Sequence, residues 1–231
     1  VGWTGAPAAY ALATALSILA VLLLAGLPRE RVEGPSGRNL LQDLGEGARF
    51  VSRHELLRPI LVTAVFFNTA WFVLQAIYVA YAVQDLGLSA TEVGLTLGIY
   101  GAGMVAGAWA APALARHLPF GAMIVIGPLG GFCAALVMLL TLWFPTVLLA
   151  GLSFFLFGAG PILWSITTMT LRQAVTPQAM LGRVSALIMT ATFGARPIGA
   201  AIGAFVAARF GAPACLAVAA LGFLAQLLVV L

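Results

Sequence analysis

The chain has 231 residues, 62% of them hydrophobic and only 8% charged, against about 45–50% apolar and about 25% charged in ordinary soluble domains. Its mean hydropathy of +1.09 excludes a water-soluble fold, because a chain of this length cannot hide that much apolar surface from water. The net charge of +4 comes wholly from 11 arginines, and their scatter over short connections, rather than on one face, argues against a nucleic-acid-binding module.

The apolar residues fall in blocks of about 20, the length that crosses a hydrocarbon core of about 30 Å at about 1.5 Å per residue. Within lipid every backbone N–H and C=O must be paired inside the chain, which leaves helices or a closed barrel. Runs such as Leu16 to Leu24 lack the alternation of barrel strands. The expected class is therefore all-α, a polytopic transmembrane helix bundle. In chain order the spans read Ala8 to Leu27, Ile60 to Val83, Val93 to Ala113, Gly121 to Phe144, Val147 to Thr170, Val184 to Ala207 and Pro213 to Leu231. This divides the chain into one transmembrane helix over residues 1–27, a linker over 28–58 and a six-helix bundle over 59–231.

The linker has two parts. Pro28 to Gly37 combines proline, glycine and alternating charges, as flexible connections do. From Arg38 to Leu57, Leu40, Leu41, Leu44, Ala48 and Val51 recur at helical spacing with Asp43, Glu46, Arg49 and Arg53 largely off that stripe, which predicts a short amphipathic surface helix with a Glu46–Arg49 pair. Nine arginines fall in one set of connections: Arg29, Arg31, Arg38, Arg49, Arg53, Arg58, Arg116, Arg172 and Arg183. The alternate set carries Arg209 alone, beside Asp85 and Glu92. The positive-inside rule makes the arginine-rich side cytoplasmic, with Val1 outside and Leu231 inside, and Trp3, Trp143 and Phe144 suit the outer aromatic belt. Cys133 and Cys215 lie in apolar runs, where buried thiols are expected rather than a disulfide or a metal site.

The six later spans split into two triplets. Gly101, Ala102, Ala108, Ala111, Ala115 and Arg116 align without gaps onto Gly194, Ala195, Ala201, Ala204, Ala208 and Arg209. The helices that carry them cross in opposite senses, as in an inverted repeat.

One span, a charged linker with a surface helix, and six spans in a three-plus-three inverted repeat: this layout resembles the major facilitator superfamily from its sixth helix onward. The segments Leu171-Arg172-Gln173-Ala174-Val175-Thr176-Pro177, Leu181-Gly182-Arg183-Val184-Ser185-Ala186-Leu187 and Gly194-Ala195-Arg196-Pro197-Ile198-Gly199 are similar to the turn between helices ten and eleven in its exporter branch, which includes macrolide-efflux-like and enterobactin-exporter-like proteins. The helix from Leu40 to Leu57, running into Arg58-Pro59, is similar to the linker of the same branch. The stretch Gly107 to Gly121 departs from the superfamily's loop signature, keeping Arg116 but placing Ala111 and Pro112 where an acid belongs. The resemblance implies efflux of a small amphipathic molecule, such as a drug or siderophore, across the bacterial inner membrane by alternating access coupled to protons. It further implies an N-terminal transporter half as partner. The start without methionine and the end inside an apolar run give the chain the look of a C-terminal-half fragment lacking that partner.

Polar groups inside hydrocarbon are costly and face a bundle interior or a wet cavity. Asn68, Trp71, Gln75 and Tyr78 share one helix face, forming either a substrate-cavity wall or an interhelical hydrogen-bonding seam. Arg196 lies 13 residues past Arg183, roughly 20 Å deeper at helical rise. It meets either an anionic substrate or partner, or carbonyls beside Pro197. Gly158, Gly160 and Pro161 permit a gating bend or close packing, with Trp164, Ser165, Thr167 and Thr168 following one turn on. The pairs Gly199/Gly203 and Gly94/Gly98 read as close helix contacts. Arg172, Gln173, Pro177, Gly182 and Arg183 form the cytoplasmic motif. The spans hold no zinc-binding His-Glu-x-x-His, no paired aspartates and no serine–histidine couple at membrane depth, so neither an enzyme nor a cofactor or metal site is expected. The competing reading is a membrane interaction subunit without transport activity.

Overall fold

The structure is a computed structural model and describes residues 5–25 and 40–231. The expected flexible linker segment and Trp3 lie outside the described residues. The chain divides into two compact units, Val1–Asn39 and Leu40–Leu231. In the first, α1 (Gly5–Ala25) is the expected leading helix, with an apolar stretch over Tyr10–Ala25.

The second unit opens with α2 (Leu40–Arg53), shorter than the predicted surface helix, and a turn leads from it into α3 (Leu57–Gln84). Four more helices follow: α4 (Ala90–His117), α5 (Phe120–Leu140), α6 (Val147–Val175) and α7 (Gln178–Val230). All of α3 to α7 are long and apolar enough to cross a membrane. Local chemistry sets their ends. At the start of α4, Ser89 and Glu92 form a reciprocal capping box, which satisfies two orphan N–H groups. Thr146 caps α6 by accepting from the Leu149 N–H. The fourth predicted span stops at Leu140 rather than Phe144, where residues 141–144 turn.

The sixth and seventh predicted spans form one 53-residue helical element whose path breaks at Gly211, φ 80° and ψ 177°. Only glycine adopts that conformation without a steric penalty. The Cys215 thiol donates to the Gly203 carbonyl at 3.1 Å, whereas 12 residues of straight helix would separate them by about 18 Å. The chain therefore reverses at Gly211, giving α7a before it and α7b after it. Six spans thus make up the bundle.

Triplet α3–α4–α5 and triplet α6–α7a–α7b interlock. Within the first triplet the helix backbones stay apart and only side chains such as Trp71 on Tyr100 and Tyr78 on Thr96 bridge α3 and α4; the close backbone seams run between the triplets, α4 along α6 and α3 along α7. A Cβ on Gly103 would meet Phe155 and one on Gly107 would meet Ala159, while Gly199 faces Thr69 and Gly203 faces Val73. Both pairs of helices therefore run parallel. The middle helix of each triplet packs on the first helix of the other, the arrangement an inverted repeat requires. Gly199/Gly203 is thus a close-contact pair. Gly94/Gly98 is not, since a Cβ on either meets nothing within 4 Å.

Between the triplets sits an aromatic core. Trp71 stacks on Tyr100 at 5.3 Å and meets Phe157 edge-on at 4.8 Å, and Phe157 lies 4.9 Å from Phe223. These contacts join α3, α4, α6 and α7b. At the arginine-rich end α2 buries Val51 against Leu57 and Val184, with Gly47 close against the Arg183 carbonyl.

Candidate functional site

A cavity of about 380 Å³ lies among α3, α5, α6, α7a and α7b. Its α3 wall runs from Ile60 to Asn68 and its α6 wall from Pro161 to Arg172. It therefore occupies the half of the bundle toward the arginine-rich end, where α3 begins and α6 finishes.

Arg196 and Asn68 fix the deep end of this cavity. Arg196 Nε donates to Asn68 Oδ1 at 3.0 Å, and Asn68 Nδ2 donates to the Ala64 carbonyl at 2.9 Å. The guanidinium lies over the Phe193 ring, 4.1 Å from its centroid, with Phe72 at 5.4 Å. Flat guanidinium against aromatic face is a favourable electrostatic contact, but the rings and the neutral amide leave the charge uncompensated. The carbonyls beside Pro197, one of the two partners the sequence suggested, are not what Arg196 meets within the chain; an asparagine 128 residues away takes that place.

Along the α6 wall, Trp164 is half-buried and its indole Nε1 is buried without a partner among the described residues. Ser165 lines the cavity and returns its hydroxyl to the Pro161 carbonyl at 2.8 Å. Thr167 and Thr168 likewise donate to Leu163 and Trp164 carbonyls. These bonds serve carbonyls one turn beyond the Phe157 carbonyl that Pro161 frees. Arg172 closes this wall with its Nε buried, and across from it stands Thr63, 1% exposed; neither the Arg172 Nε nor the Thr63 hydroxyl has a partner among the described residues.

The structure thus brings Asn68, Pro161, Trp164, Ser165, Arg172 and Arg196 to one cavity. It places other candidates elsewhere. Tyr78 is fully buried and bonded to the Thr96 hydroxyl; Trp71 belongs to the aromatic core; Gln75 is half-buried away from the cavity lining. Gly158 faces Tyr100 and Met104, and Gly160 faces Gly130, so both seat α6 against its neighbours. Gln173, Pro177 and Gly182 are exposed. Arg183 turns to α2, with its Nε 2.8 Å from Asp43 and its Nη1 2.8 Å from Glu46. Glu46 pairs with Arg183 rather than with Arg49.

Sequence reasoning missed Thr63, Phe67, Gln226 and Phe193 as lining residues. Gln226 carried a signal, being the one amide in an otherwise apolar α7b; it is 1% exposed and donates to the Pro128 carbonyl.

The family profile described as Major Facilitator Superfamily matches residues 1–200. The chain is 29% identical over 194 residues to an enterobactin exporter of Citrobacter koseri, 28% to one of Escherichia coli and 29% to one of Shigella boydii. Each match covers 84% of this chain and 45% of the relative. The chain spans about half the length of the curated relatives it matches.

Proposed function

The chain belongs to the major facilitator superfamily, and from that premise we propose that it is the C-terminal half of a secondary exporter of a small amphipathic molecule. The observation that carries this reading is the donor-rich cavity between Asn68, Trp164 and Arg196 inside an otherwise apolar bundle. Such a cavity costs stability in lipid unless something polar enters it. Its aromatic and aliphatic lining suits an apolar body, and its donors orient a polar head. The relatives are named as exporters of enterobactin, which fits a cargo of mixed polarity.

In this proposal the arginine-rich end faces the cytoplasm of a bacterial inner membrane, so the cavity is a loading site for cargo leaving the cell. Residues 59–231 form the moving bundle, residues 28–58 the linker, and residues 1–27 the last helix of the N-terminal half. The two interlocked triplets move as one body, because close glycine contacts such as Gly103 on Phe155 leave no slack between them. They rock against an N-terminal half, which also supplies the carboxylate that proton coupling needs, since none of the cavity-lining residues is acidic.

The test is accumulation of a labelled amphipathic compound in cells that express the chain joined to an N-terminal half. Lower accumulation, restored by a protonophore, is expected. Accumulation equal to that of cells without the protein, with the protein present in the membrane, would leave a non-transporting interaction subunit as the reading.

A further inference from the structure

The cavity is unbalanced in its hydrogen-bonding chemistry. Arg172, Arg196 and Trp164 bring groups that can only donate, and the Arg172 Nε, the Trp164 Nε1 and the Thr63 hydroxyl are all buried with no partner among the described residues. The acceptors on the walls are all neutral: Asn68 Oδ1 takes the Arg196 Nε, and the others are the Gln226 amide oxygen and hydroxyls such as those of Ser165 and Thr168, which already donate to the Pro161 and Trp164 carbonyls. None of the lining residues is acidic. Two guanidinium groups, permanently charged, therefore share one pocket in a low-dielectric surrounding.

We infer that this cavity recognises an organic anion, an aromatic or alicyclic body carrying a carboxylate or a comparably acidic oxygen pair, with Arg196 and Arg172 as its two charge-reading residues. The inference rests on the transport reading above for the ligand's role as cargo. It adds the charge class. At Arg196 the Nε is held by Asn68 and the plane by Phe193 and Phe72, so the two Nη groups stay in a fixed orientation suited to a paired-oxygen acceptor. Arg172 stands two turns beyond Trp164 and Ser165, about 10–12 Å along the helix, near the arginine-rich mouth. An entering anion meets Arg172 first and Arg196 at the deep end, with the Trp164 N–H and the Thr63 hydroxyl between as neutral donors. A neutral ligand leaves both charges unpaired, and a cation is repelled by both.

The test uses the full chain in phosphatidylcholine nanodiscs and a matched pair of tritiated probes, 2-naphthoate and 2-naphthamide, with empty discs subtracted. The two share shape and apolar area and differ in charge. Naphthoate is expected to bind roughly ten- to a hundredfold more tightly, the range for a hydrogen bond to a charged group. Arg196→Gln and Arg172→Gln should each narrow the preference and together bring the two probes to parity, while Arg196→Lys, which keeps the charge, should retain more of the preference than Arg196→Gln. Equal binding of the two probes by the unmodified chain overturns the inference. So does absence of naphthoate binding above empty discs, or a preference that survives Arg196→Gln and Arg172→Gln together. Failure of cellular export with the naphthoate preference intact overturns the transport reading alone, and export without charge preference overturns this inference alone.

Discussion

Gly158, expected either to permit a gating bend or to pack closely, lies tight against α4. A Cβ added there would lie 2.2 Å from the Tyr100 carbonyl oxygen and 2.8 Å from the Met104 nitrogen. Both are backbone atoms of α4, so no side chain can swing aside. Carbon–oxygen contacts are comfortable at about 3.3–3.6 Å, so α4 and α6 must part by roughly 1 Å in Gly158→Ala. A gap of that size forfeits about a quarter to a half of each dispersion contact of about 0.1–0.2 kcal/mol. Over the tens of atom pairs along this seam the loss reaches about 1–3 kcal/mol, the usual cost of overpacking. For a chain of this size that lowers Tm by about 3–10 °C. The assay is thermal unfolding in detergent with a thiol-reactive dye. Cys215, 0% exposed, reports the transition once the exposed Cys133 is replaced by serine. Gly194→Ala is the control, because nothing lies within 4 Å of its added Cβ, and its Tm should stay level or rise slightly. A Gly158→Ala midpoint within about 1 °C of the parent, or an equal fall in the control, refutes the packing argument.

Two further outcomes follow from the same geometry. Arg183→Met removes both ion pairs to α2, whose side chains are 18%, 31% and 48% exposed; at about 0.2–1 kcal/mol for pairs this open, hydrogen exchange over residues 40–53 should quicken several-fold while the bundle is unchanged, and unaltered exchange would mean that Val51 and Gly47 alone hold the helix. Tyr78→Phe deletes the buried bond to Thr96 and should cost about 0.5–1.5 kcal/mol with export per folded molecule unaffected. A selective loss of export would return Tyr78 to the substrate path.

Span lengths, the class and the three-plus-three order were legible because lipid imposes a length and a pairing rule on every segment. Asn68, Trp71, Gln75 and Tyr78 share an azimuth, as their spacing says, but azimuth does not tell what covers each level of a helix. Asn68 meets the cavity and Tyr78, ten residues higher, meets the α4 packing seam. The Arg196–Asn68 bond was partly readable: both residues lie about 16–20 Å from the arginine-rich ends of helices running the same way. What sequence could not supply was the pairing of those helices, which depends on Gly199 and Gly203 seating α7a on Thr69 and Val73. The reversal at Gly211 was expected as a loop and proved to need a single left-handed glycine.

The interlocking of the two triplets bears on biogenesis. Within the bundle, α3 to α5 leave the ribosome before α6 and α7, and their close backbone seams are with those later helices rather than with one another. Asn68 waits for a partner synthesised 128 residues later, and assembly is deferred until the closing helices arrive and thread both seams together.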